Sequence, residues 1–66
     1  MNDAYTDELI TVDELCDMLM IGKNMAYRLL NSGEIASFKI SREWKIPRQS
    51  VYQYIQKQCN ARQNQP

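Results

Sequence analysis

The sequence predicts a mainly α domain with a small β-hairpin: two short helices joined by a tight turn, a two-stranded wing and a C-terminal helix. Three observations carry that expectation. Thr11-Val12-Asp13-Glu14 is a reciprocal cap at a helix start, and Gly22 to Asn31 repeats its apolar residues at helical spacing. Phe38-Lys39-Ile40 and Trp44-Lys45-Ile46 alternate apolar and basic residues, as half-buried strands do.

A chain of 66 residues forms one domain. At this size folding buries only about 60% of the unfolded surface, so caps and turns must add to the core and there is no room for a deep active-site cavity. Cys16 and Cys59 are the only cysteines and histidine is absent, so neither a zinc site nor a Cys-His nucleophile has residues to draw on. No enzyme activity, cofactor or metal is expected. Cys16 reads as a small core residue. No signal peptide is recognisable and no apolar run is long enough to span a bilayer, which points to a soluble intracellular protein.

Net charge is zero, yet the charges are segregated along the chain. Residues 1–20 hold Asp3, Asp7, Glu8, Asp13, Glu14 and Asp17 without a Lys or Arg. Residues 21–66 hold eight Lys or Arg against Glu34 and Glu43, so the two parts carry −6 and +6. Such a separation lets one basic surface meet a polyanion while the acidic end faces away or meets a partner.

Residues 1–9 lack periodicity and read as a flexible N-terminal tail, with the domain proper at 10–58. The first helix starts at the capping box, where Thr11 and Glu14 satisfy each other's backbone N–H groups. Ile10 before the cap and Leu15 inside it form a hydrophobic staple, and Asp13 and Glu14 suit the positive end of the helix dipole. Val12, Leu15, Cys16 and Leu19 supply a narrow apolar stripe, with Met18 and Met20 lying off it as gap fillers. Ile21-Gly22 interrupts the pattern briefly, so two short helices must cross steeply, with Ile21 as the plug between them and Gly22 as an N-cap. In the second helix Ala26, Leu29 and Leu30 face the core, while Lys23, Asn24, Tyr27, Arg28 and Asn31 share the other side. That polar side is either a solvated surface or a binding face. Gly33 is free to close the helix in a left-handed C-cap.

For the hairpin, pairing Ile40 with Trp44 and Phe38 with Ile46 places four apolar side chains on one face, with Ser41-Arg42-Glu43 as the loop. The same register puts Lys39 opposite Lys45 and Arg42 at the tip. Two cations across a ladder are destabilising by roughly a few tenths of a kcal/mol, which suits a surface built for phosphate; the alternative is two long side chains splaying into solvent. Pro47 sets the first turn of a third helix, whose stripe is Val51, Tyr54 and Ile55, with Tyr52 at its edge. Residues 59–66 read as a flexible polar C-terminal tail.

In order and spacing these pieces resemble the excisionase-type branch of the MerR-like winged helix-turn-helix DNA-binding domains, from Ile10 to about Lys57. The matching segments are Thr11-Val12-Asp13-Glu14-Leu15, Ile21-Gly22-Lys23-Asn24, Ala26-Tyr27-Arg28-Leu29-Leu30, Gly33-Glu34-Ile35 and Trp44-Lys45-Ile46-Pro47. The resemblance implies that the second helix enters the major groove and the wing follows the flanking backbone or minor groove. Carried over by position, Lys23, Asn24, Tyr27, Arg28 and Asn31 form the reading set, Lys39, Arg42 and Lys45 the wing set, and Arg48 a candidate backbone contact. The chemistry suits these roles: Arg28 can grip guanine O6 and N7 as a fork, Asn24 can pair with adenine, and Lys23 can meet a phosphate. Tyr27 either bonds a phosphate or lids the core edge.

Three positions depart from the family pattern. Met20 stands where glycine is common in the helix-helix turn, Ala36 where proline often precedes the wing, and Ser41 where glycine is frequent in the wing loop. The resemblance further implies duplex DNA as partner, a recombinase or neighbouring copies of the chain as further partners, and a cytoplasmic, bacterial or phage-borne protein near the nucleoid. Its function would be a recombination accessory factor or transcriptional regulator; the alternative is an adaptor that keeps the fold without binding DNA. No small-molecule ligand is expected.

Overall fold

The computed structural model describes residues 8–63 and comprises β1 (Leu9–Ile10), α1 (Val12–Leu19), α2 (Lys23–Ser32), β2 (Phe38–Ile40), β3 (Glu43–Pro47) and α3 (Arg48–Gln63). The winged helix-turn-helix expectation therefore holds as an architecture. Among the described residues, no helix is long and apolar enough to cross a membrane.

The local signals act as the sequence implies. Thr11 Oγ1 accepts from the Glu14 N–H at 3.2 Å, and the Thr11 N–H donates to Glu14 Oε1 at 3.0 Å. Each bond satisfies a backbone donor that the first turn of α1 would otherwise leave open. At the other end Met20 adopts φ 57 and ψ 48, the left-handed conformation, and Ile21 donates to the Cys16 carbonyl at 3.0 Å. This single residue turns the chain from α1 into α2. Its side chain is 90% exposed, so the strained backbone is not offset by burial. Gly22 caps α2 with an extended backbone and no side-chain bond. Gly33, at φ 84, ends α2 in the geometry that favours glycine, and Ser32 Oγ accepts from the Glu34 N–H just beyond.

The core follows from the two periodicities. Ile10, Leu15, Ala26, Leu29, Leu30, Ile35, Ile46 and Val51 are buried together, with Val12, Cys16, Met18, Leu19, Ile21, Trp44, Tyr54 and Ile55 packed around them. Cys16 and Cys59 are free thiols. Met18 fills a gap at the core edge as its off-stripe position suggests, whereas Met20 does not.

Secondary structure extends past both expected boundaries, 10 and 58. Leu9 and Ile10 form β1, pairing antiparallel with Pro47 and Ile46, and the Arg48 N–H donates to the Glu8 carbonyl at 2.7 Å. Residues 1–7 of the expected tail lie outside the described residues. The sheet order is β1-β3-β2, so β3 is central and continues directly into α3 after Pro47. Residues 56–61 are exposed, and α3 still runs to Gln63, because Gln, Lys, Ala and Arg are good helix formers even without a buried face.

The hairpin register corrects the expected one. Phe38 pairs with Lys45, Lys39 with Trp44 and Ile40 with Glu43, leaving Ser41-Arg42 as a two-residue turn with φ 51 and 72. Positive φ at both central residues matches the right-handed twist of paired strands, which a three-residue loop in the expected register would not do as directly. In the expected register both strands would bury one face. Only β3 has one: Ile46 is fully buried, while Phe38 and Ile40 on β2 are 45% and 55% exposed. Nothing in the core therefore rewards placing all four apolar side chains together.

Candidate nucleic-acid interface

α2 presents its two faces as its spacing requires. Ala26, Leu29 and Leu30 are buried, which fixes the helix roll and turns Lys23, Asn24, Tyr27, Arg28 and Asn31 outward, all exposed. A cleft of about 620 Å³ separates this helix from the wing. Tyr27 and Asn31 line it from α2, while Lys39, Arg42, Trp44 and Lys45 line it from the hairpin. Lys23, Asn24 and Arg28 lie outside this lining, on the same exposed face of α2. The structure thus gathers eight of the nine expected residues on α2 and the wing.

The ninth, Arg48, is placed differently. Its Nε lies 3.3 Å from Glu8 Oε1, an ion-pair contact without hydrogen-bond geometry, and its Nη1 reaches Met18 Sδ at 3.8 Å. The hydrogen bond its guanidinium donates to the Tyr52 hydroxyl oxygen holds its pKa above the ordinary arginine value, against desolvation, with the charge of Glu8 adding a lesser push in the same direction. Arg48 ties β1 and α1 to the start of α3.

The wing's electrostatics also differ from the expected lysine pair. With Lys39 across from Trp44, its ammonium sits 5.0 Å from the ring centroid, within cation–π range. Lys45 instead bonds Glu43 Oε1 at 3.3 Å, two residues along the same strand face. The expected repulsion is absent because the register separates the two lysines onto opposite faces of the hairpin.

On α2, Lys23 Nζ lies 3.1 Å from Asp13 Oδ1. The hydrogen bond to Asp13, then its charge, raises the Lys23 pKa above the ordinary lysine value. The acidic N-terminal part therefore does not face away as a block: Glu8 and Asp13 both meet cations of the basic part. Sequence reasoning missed Asp13, Glu43 and Trp44 as partners of Lys23, Lys45 and Lys39. For Asp13 no local signal exists, since it and Lys23 meet only through the turn at Met20. Glu43 and Trp44 come beside Lys45 and Lys39 through the two-residue turn, which Ser41-Arg42, lacking Asn or Gly, does not announce.

Among the described residues, no three His, Cys, Asp or Glu side chains converge to hold a metal. Arg28 and Arg42 make no ion pair among the described residues. One such arginine stands on each of the two elements that border the cleft.

The family model described as a helix-turn-helix domain matches residues 9–59. An excisionase of Streptomyces ambofaciens is 36% identical over 55 residues, covering 83% of this chain and 89% of that protein. A probable excisionase of Saccharopolyspora erythraea is 41% identical over 46 residues, covering 70% of this chain and 47% of that protein. No solved structure matches the chain.

Proposed function

The chain belongs to the helix-turn-helix domain family, and on that premise we propose that it binds duplex DNA as an accessory factor in the excision of a mobile element. Its role is binding rather than turnover. α2 enters the major groove, with Arg28 and Asn24 on base edges and Lys23 and Tyr27 on phosphates; Asn31 lies at the cleft end of the same face. The wing positions the domain through Lys39, Arg42 and Lys45 on the flanking backbone or minor groove. The observation that carries this reading is the placement around one cleft of Tyr27 and Asn31 from the polar face of α2 and Lys39, Arg42 and Lys45 from the wing.

A domain of this size covers a short site, so selectivity comes from several copies on adjacent sites or from a recombinase bound beside it. The excisionase relatives support the recombination role over general transcriptional regulation. The test is a titration of random duplex at two salt concentrations, followed by selection of bound duplexes from a random pool. Contact with roughly four to six phosphates weakens binding with a log–log slope of about −0.9 per phosphate. Absence of binding at low salt would reduce the protein to an adaptor that keeps the fold without DNA.

A further inference from the structure

Each DNA-facing element carries one lysine that the protein has already neutralised. On α2, Lys23 Nζ is 3.1 Å from Asp13 Oδ1; on the wing, Lys45 Nζ is 3.3 Å from Glu43 Oε1. Both carboxylates are open to solvent, their side chains 75% exposed. An approaching phosphate therefore meets a closed ion pair at these two positions, whereas Arg28 and Arg42 make no ion pair among the described residues.

We infer that Asp13 and Glu43 are built-in counter-ions that compete with DNA phosphate for Lys23 and Lys45, and so act as a brake on binding to every sequence. The inference rests on the DNA-binding reading above. Its physical basis is that affinity for the DNA backbone comes from protein cations displacing the counterions condensed on the phosphates. A lysine held by its own carboxylate presents little net charge and displaces little. Neither lysine is buried by its pair, so the carboxylate can be exchanged for a phosphate without exposing core. Two of the eight acids that balance the chain's eight cations thus sit directly against cations that would otherwise hold it on any duplex.

The test uses the full chain and one random duplex. Asp13→Asn and Glu43→Gln are titrated at several salt concentrations, with Asp17→Asn as a control of equal charge change, because Asp17 is exposed and makes no ion pair among the described residues. The expected result is tighter binding at low salt and a log–log slope steeper by about 0.9 for each variant, and by about 1.8 for the two together. Raising salt from about 50 to 200 mM then costs each single variant a further factor of about 3.5 in affinity. Urea unfolding verifies that each variant is folded. The control keeps the parent slope.

A second arm repeats Asp13→Asn in a Lys23→Ala background, where the slope should stay put because no lysine remains to be released. A slope change persisting there, or equal in the Asp17→Asn control, would make the acids general repellents and overturn the pairing mechanism. Parent binding with unchanged slopes in both variants would overturn this inference alone. Failure of parent and variants alike to bind at low salt would overturn the DNA reading and this inference with it.

Discussion

Lys39 and Trp44 face each other across the hairpin, with the lysine ammonium 5.0 Å from the centroid of the indole ring. The aromatic face holds a cation at the mouth of the cleft, and it does so only because Ser41-Arg42 closes the hairpin in two residues. At an exposed site such a contact contributes about 0.5–1 kcal/mol. A double-mutant cycle of Lys39→Met and Trp44→Leu, read by urea unfolding, should return a coupling energy of that size. A coupling of zero would mean that Lys39 is not held by the ring.

Replacing Met20 by glycine should stabilise the fold by about 1 kcal/mol, because the left-handed conformation costs a side-chain-bearing residue about 1–2 kcal/mol. Met20 is 90% exposed, so its removal forfeits almost no burial. The urea midpoint should rise with an unchanged slope of free energy on denaturant. A midpoint that falls would show that the exposed side chain supports the turn in some other way.

Arg42 carries two opposed demands. Its φ of 72 favours glycine, while its place at the hairpin tip presents a guanidinium beside the cleft. Arg42→Gly should therefore raise stability by about 1 kcal/mol while weakening DNA binding and reducing the salt slope by about 0.9. Calorimetry and a duplex titration on the same sample would show the two effects moving in opposite directions. Loss of both together would indicate that the tip folds through the arginine.

Reading and positioning residues should separate by substitution. Arg28→Ala is expected to cost about 1–3 kcal/mol on a selected site and to relax base preference, whereas Lys39→Ala should weaken all duplexes alike and flatten the salt slope. Binding curves on a selected and a random duplex decide it. Identical behaviour of the two variants on both duplexes would dissolve the distinction between helix and wing.

The Asp13–Lys23 pair has a defined pH window. Asp13 raises the folded-state pKa of Lys23 above its ordinary value of 10.5, so the pair's contribution is fully present below that value and is lost as pH rises through the folded pKa. The difference in thermal midpoint between the parent and Asp13→Asn should be constant from neutral pH to about pH 9 and narrow above pH 10.5. What remains is the contribution of an acid at the positive end of the α1 dipole. Added salt should shrink the neutral-pH difference, since both side chains are solvent-exposed. A difference that is flat through the alkaline range would show that the pair contributes nothing to stability.

What the chain specifies locally was legible in its residues. The capping box, the core face of α2, the left-handed cap at Gly33 and the strand alternation of the wing all depend on groups a few positions apart. The exposed polar face of α2 could be named for the same reason, since burying Ala26, Leu29 and Leu30 leaves its polar residues only one direction to point. The extension of α3 was also present in the propensities of Gln56, Lys57, Gln58, Ala61 and Arg62, and was obscured by treating lack of burial as lack of helix.

Tertiary structure alone decided the rest. β1 is two residues long and has no period of its own; it exists because Ile46 and Pro47 offer it a ladder. The wing register turned on which strand has core beneath it, a fact that parity within Phe38–Ile46 does not contain. The ion pairs of Lys23 with Asp13 and Arg48 with Glu8 join residues that only the folded chain brings together. A charge pattern along the sequence is a one-dimensional average, whereas Coulomb attraction acts through space, and the left-handed turn at Met20 is what carries an acid of α1 to the first lysine of α2.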